Sequence, residues 1–185
     1  AALAPPAAAQ EAEPAPEAPP EAAADIASQG GTGALVDAEG RQLGNVSVEA
    51  APSGHALVLA NAQGFPEGVL AVHLHEAGAC DGPAFDSAGG HIDGGREHGV
   101  RSGGGPHPGD LPNTHVGSDG VLAFDAVAVG LTMDMVFDAD GSALIVHAGP
   151  DDYASQPSGD AGGRIACAVI EPAAAGPAAD EASGG

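Results

Sequence analysis

The sequence predicts an all-β fold, an antiparallel sandwich or barrel, on three observations. Apolar runs are short, as in Ala34-Leu-Val, Val46-Ser-Val-Glu and Ala56-Leu-Val-Leu. Turn pairs separate them at Glu39-Gly, Ser53-Gly and Gln63-Gly, the punctuation of strands joined by tight connections. No stretch carries apolar residues at the three-to-four spacing of a helical stripe.

The remaining elements follow in order. Val69 to Leu74, Val121 to Phe124, Val127 to Leu131, Ala143 to Val146 and Ile165 to Ile170 continue the series of strands. Met133 and Met135 alternate in an expected strand and read as core or edge packing. Between His75 and Gly120 glycine and proline become dense, apolar residues scarce, and five of the eight histidines lie from His75 through His115. A loop of that length within a compact domain is functional or tied down, and bound metal is the expected tie. A second loop runs from Ala148 to Gly163, directly after His147, and ends at Arg164.

The two ends differ from this pattern. Residues 1–30 are Ala, Pro and Glu without periodicity, which predicts a disordered linker, and residues 172–185 repeat the mixture and are expected to be a mobile tail. One folded domain is expected over residues 31–171. No run approaches the roughly 20 apolar residues of a membrane span. The start at Ala1, without Met or a basic signal segment, fits a chain from which a targeting peptide has been removed.

The formal charge is −22, with four arginines (Arg41, Arg96, Arg101 and Arg164) and no lysine. Nucleic acid and anionic membrane surfaces are therefore poor partners. Arg96 and Arg101 lie in the histidine-rich loop, where they can offset nearby acid. The two cysteines, Cys80 and Cys167, admit a single pairing, and by themselves they read equally as a bridge or as two buried thiols.

His73 and His75 are two apart in an expected strand, so both side chains leave one face and can meet a single ion. An isolated His-x-His is weak evidence. It gains weight from His91, His98, His107, Asp110 and His147, since so many histidines have no evident structural purpose. Imidazoles suit copper, and zinc takes four ligands with His and Asp among them. Two such sites need eight donors, so seven residues suffice if one imidazole uses both nitrogens; the spacing leaves open which one. His55 and His115 read as ordinary histidines.

The segments His73-Leu-His75-Glu, Ser87-Ala-Gly-Gly-His91, His98, Gly109-Asp110-Leu, Leu144-Ile-Val-His147 and Gly162-Gly-Arg164-Ile-Ala-Cys167 resemble, in content and order, the motifs of copper,zinc superoxide dismutases. The likeness covers about Gly33 to Ile170. Ala88-Gly-Gly-His91-Ile-Asp with Gly109-Asp-Leu-Pro112 is closer to the bacterial exported branch than to the animal cytosolic one.

The resemblance implies a Greek-key barrel and disproportionation of superoxide to oxygen and hydrogen peroxide by copper alternating between Cu(II) and Cu(I), with zinc structural. It implies that His73, His75, His91 and His147 bind copper, that His91 also bridges to zinc, and that His98, His107 and Asp110 complete zinc. It further implies a Cys80–Cys167 disulfide, hence an oxidising compartment, periplasmic or extracellular. Arg164 would orient the anion, His91 would carry a proton, and Asp151 would bond one copper ligand and one zinc ligand. Family members occur as monomers and homodimers.

Ala71 stands where the family usually has glycine, and the loop before Arg164 lacks the lysines of the family's basic funnel, which bears on rate. Two other readings compete: a metal-binding module of the same fold without turnover, and zinc-dependent hydrolysis. Arg164 disfavours the first, and four protein ligands on zinc disfavour the second.

Overall fold

Alternation of apolar and polar residues, the period of a half-buried strand, sets the first three strands: β1 (Gly31–Asp37), β2 (Gln42–Ala50) and β3 (Ala56–Gln63). The computed structural model describes residues 30–173. The linker expected over residues 1–30 and the tail over 172–185 lie outside the described residues, except Gly30, Pro172 and Ala173.

There follow β4 (Gly68–Leu70), β5 (Val72–His75), β6 (Thr114–Val116), β7 (Val121–Ala128), a helical turn α1 (Met133–Val136), β8 (Ala143–His147), β9 (Arg164–Val169) and β10 (Glu171–Pro172). One curled antiparallel sheet runs β5-β8-β9-β1-β2-β3-β7, with β10 against β1, and β4 pairs with β6. The chain passes from β4 straight into β5 through Ala71. The neighbours β3–β7, β5–β8 and β1–β9 are joined by long crossovers, which is the expected Greek-key order.

β3 and β7 send Ala56, Val58, Ala60, Leu122, Phe124 and Ala126 into the main core. β5 and β8 are buried on both faces. Val72, Leu74, Leu144 and Val146 face that core, while Ala143 and Ile145 join a second cluster with Phe85, Ala88 and Cys167, packed against Cys80 and Ala38. That outer cluster is where the Cys80–Cys167 disulfide pins the long loop to β9.

Three details differ from the sequence reading. The run Val69 to Leu74 is two strands, because the chain changes sheets at Ala71, whose N–H donates to the Gly149 carbonyl and whose carbonyl accepts from the His147 N–H. The expected strands Val121 to Phe124 and Val127 to Leu131 are one strand, β7, which stops at Ala128. Met133 and Met135 lie in a helical turn, where positions i and i+3 share a face, so Met133 and Val136 are the buried pair.

Candidate metal centre

β5 carries His73 and His75 on the face opposite Val72 and Leu74. The long loop crosses that strand as an irregular extra pairing: the Leu74 N–H donates to the Gly109 carbonyl and the Ile92 N–H to the Leu74 carbonyl, both at 2.9 Å. This sets His91 against His75 and Asp110 against His73. At the end of β8 the register shifts between Val146 and His147, so that His147 faces Arg164. A bulge re-aims a side chain, and here it brings His147 to the other histidines.

The structure gathers the seven predicted residues into two groups that share His91. In each group the donor atoms lie within 4.8 Å of one another: His73, His75, His91 and His147 form the first, and His91, His98, His107 and Asp110 the second. His55 and His115 belong to neither. His55 precedes β3, where its Nδ1 accepts from the Gly130 N–H, and His115 is exposed within β6.

In the first group one ring nitrogen of each histidine is tied down. His75 Nδ1 donates to the Gly89 carbonyl at 3.0 Å, His147 Nδ1 to the Gly162 carbonyl at 3.3 Å, and His73 Nε2 to Asp151 Oδ2 at 3.0 Å. The opposite atoms, His73 Nδ1, His75 Nε2, His147 Nε2 and also His91 Nε2, are buried without a hydrogen-bond partner among the described residues. A buried acceptor without a partner is costly, and four bare imidazole lone pairs on one site are what copper accepts. Burial, followed by the neighbouring His91, pushes His75 down to about 2. Burial, with His73 nearby, takes His147 to about 3. His91 falls only to about 4, because the bond to Asp110 works against burial. All three are neutral and open to metal at physiological pH.

The second group centres on Asp110. Its Oδ1 lies 2.9 Å from Nδ1 of His91 and of His98 and 3.2 Å from Nδ1 of His107, and its Oδ2 accepts the main-chain N–H of Gly99 and His107. His107 Nε2 donates to the Arg96 carbonyl at 3.1 Å, which in the neutral ring leaves a lone pair on Nδ1 facing the anionic oxygen. A cation between them removes that repulsion. Three nitrogens and one carboxylate oxygen are also a usual zinc set. Burial opposes the charge on Asp110, yet bonds from His91 and His98 hold it well below the usual carboxylate range.

Asp151 joins the groups: Oδ2 bonds His73, and Oδ1 meets His98 Nε2 at 2.9 Å. Burial again opposes its charge, and the bonds from His73 and His98 override it, so its value is lowered. His98, with a carboxylate at each nitrogen, is raised to about 9 although burial acts against it. Arg164 donates to the Phe85 carbonyl at 2.6 Å and to the Gly89 carbonyl at 2.7 Å. Since His75 bonds the same Gly89 oxygen, the guanidinium stands beside the first group. Asn113 and Gln156, which bond to Asp151 and His98, escape a sequence reading because single loop amides carry no spacing signal.

Comparison with known proteins gives the family and the fold. The family model for copper/zinc superoxide dismutase matches residues 42–170. Superoxide dismutase [Cu-Zn] 2 of Aquifex aeolicus is 40% identical over 143 residues, 74% of this chain and 83% of its own length. The Caulobacter vibrioides superoxide dismutase [Cu-Zn] is 38% identical over 141 residues, 72% of this chain and 80% of its own. The solved Cu/Zn superoxide dismutase from Brucella abortus superposes with a TM-score of 0.64 at 31% identity, covering 77% of this chain and 99% of that one.

Proposed function

The chain belongs to the copper/zinc superoxide dismutase family, and on that premise we propose that it disproportionates superoxide at a site built from the two histidine groups. The observation that carries the reading is the set of four buried, unpartnered imidazole nitrogens beside Arg164. His73 Nδ1, His75 Nε2, His91 Nε2 and His147 Nε2 would hold copper; His91, His98 and His107 through Nδ1, with Asp110 Oδ1, would hold zinc. When bound there, copper would supply one-electron exchange between Cu(II) and Cu(I), which suffices to oxidise one superoxide to dioxygen and reduce a second to peroxide, whereas zinc would supply no redox change.

The protein's own part is positional. Arg164, fixed by the Phe85 and Gly89 carbonyls, draws the anion in and orients it by charge-assisted hydrogen bonds. His91 Nε2, whenever it is not holding copper, would be the atom that takes up a proton and passes it to the departing peroxide. Asp110 keeps the His91 ring aligned, and Asp151 fixes the tautomer of His73. We further assign the protein to an oxidising compartment, periplasmic or extracellular. The Cys80–Cys167 disulfide supports this, and no helix among the described residues is long and apolar enough to cross a membrane.

The test is metal content and superoxide decay on one purified sample. Copper and zinc in equal amounts, with catalytic decay that Arg164→Ala slows by about 10- to 100-fold at unchanged copper content, is the expected result. Both metals bound without turnover would make the chain a metal-binding module instead.

A further inference from the structure

Two loops face each other across the second group, and each sends one carboxamide to the main chain of the other. Asn113 donates from Nδ2 to the Asp151 carbonyl at 2.9 Å and accepts the Asp151 N–H on Oδ1 at 2.8 Å. Gln156, from the opposite loop, accepts the His98 N–H on Oε1 at 2.9 Å and donates from Nε2 to the His98 carbonyl at 2.9 Å. Each amide thus satisfies both main-chain groups of one residue, as a neighbouring strand would. The two residues so held are the pair bonded to each other, His98 Nε2 to Asp151 Oδ1.

We propose that Asn113 and Gln156 are positioning residues whose reciprocal clamps hold Asp151 and His98 in register, so that one carboxylate spans both metal groups. Asp151 must aim Oδ2 at His73 and Oδ1 at His98 together, and a small rotation of its main chain would break one bond or the other. Asn113 is itself oriented, because its N–H donates to the Tyr153 hydroxyl at 2.8 Å. The pair also has no slack. Gly159, at φ +71°, packs so closely that a Cβ there would collide with Asp151 Oδ1 and His98 Nε2, so a shifted carboxylate has nowhere to settle.

Arg101 separates this role from general stapling of the loops. Its guanidinium donates to the Asp152 carbonyl at 2.9 Å and lies over the Tyr153 ring at 5.6 Å. It therefore spans the same loops with neither His98 nor Asp151 in its grip. Removing its side chain takes away one staple between the loops while both carboxamide clamps and the Tyr153 hydroxyl that Asn113 meets are kept, so it measures what stapling by itself contributes.

The inference rests on the metal assignment above, and the experiment keeps the two apart. The full chain, labelled with ¹⁵N-histidine and loaded with copper(I) and zinc, is followed by proton NMR at the Nε2–H resonances of His73 and His98, alongside zinc transfer to a chelator. Asn113→Asp and Gln156→Glu each delete one donor and keep the acceptor; Asn113→Ala controls for the added charge. All three are expected to broaden both resonances by exchange with water and to speed zinc release by about 10-fold, the usual cost of losing a partner outside the ligands. Arg101→Ala should leave both readouts unchanged. Sharp resonances with zinc release within about twofold of wild type in Asn113→Asp and Gln156→Glu would overturn the proposal, as would equal losses in Arg101→Ala. The same resonances are compared in the metal-free chain, so failure of the wild type to take up metal would count against the metal assignment while the clamp is still decided on its own signal.

Discussion

His91 Nδ1 lies 2.9 Å from Asp110 Oδ1, while Nε2 of the same ring is buried among the bare nitrogens of His73, His75 and His147. One imidazole therefore serves two donor groups. His91→Ala should weaken uptake of copper and of zinc together, each by at least about 10-fold. His75→Ala or His147→Ala should remove copper binding and dismutation with the domain still folded, and His98→Ala or Asp110→Ala should chiefly loosen zinc. Titrating each metal into metal-free variants checks the division; a copper-loaded His147→Ala variant with full activity would remove the central assignment.

Proton release on metal uptake should differ between the groups. His98 is raised to about 9 in the metal-free chain, so at pH 7 it is protonated and must give up a proton when zinc takes its Nδ1. Zinc affinity should climb about tenfold per pH unit toward pH 9 from this group alone. His75 and His147, lowered to about 2 and 3, add no such dependence for copper near neutrality. Calorimetry in buffers of different ionisation enthalpy counts the protons.

Stability of the metal-free chain should fall on the acid side. His91, His147 and His75 have folded values near 4, 3 and 2, against 6.5 when unperturbed. Their contribution is present above pH 6.5 and lost as pH falls through that range, each at up to about 1.4 kcal/mol per pH unit. Asp110 and Asp151, also lowered, act with the same sign below about 3.8. His98 acts oppositely: its contribution is full below 6.5 and is lost as pH rises through about 9. Melting temperatures should therefore drop steeply from pH 6.5 to 4.5 and decline gently from 7 to 9. A flat acid limb would contradict the buried neutral histidines.

The Cys80–Cys167 bridge spans 87 residues, a closure worth about 4 to 5 kcal/mol in the chain-entropy account. Reducing it should lower the melting temperature more in the metal-free chain than in the loaded one, because metal restrains the same loop. Equal shifts in both forms would mean that metal and disulfide act on separate parts of the loop.

Superoxide is an anion approaching a chain of charge −22 without lysine. Long-range repulsion is screened before the close attraction of Arg164, which acts within about one Debye length, roughly 8 Å at physiological ionic strength. The catalytic rate constant should stay level or rise between low and moderate salt, measured with pulse-generated superoxide. A steep fall would mean that local attraction governs the approach.

Much of this protein is written locally. Side chains two apart in a strand share a face, so His73 and His75 are readable as a pair from their spacing alone. Alternation likewise marks β3 and β7, where each residue's burial follows from its parity. Local reading fails where the deciding partner is remote: the strand break at Ala71 depends on Gly149 and His147, and Met133 turns into a helix because its burial pairs it with Val136.

By itself, then, the sequence determined the strand series, the histidine inventory and the order of motifs, all of which depend on neighbours a few residues away. Only the tertiary structure decided that a register shift turns His147 inward and that Asn113 and Gln156 grip Asp151 and His98. The physical reason is range. A ring's orientation is set by whichever hydrogen-bond acceptor lies beside it, and for His73 that acceptor, Asp151, is 78 residues away along the chain.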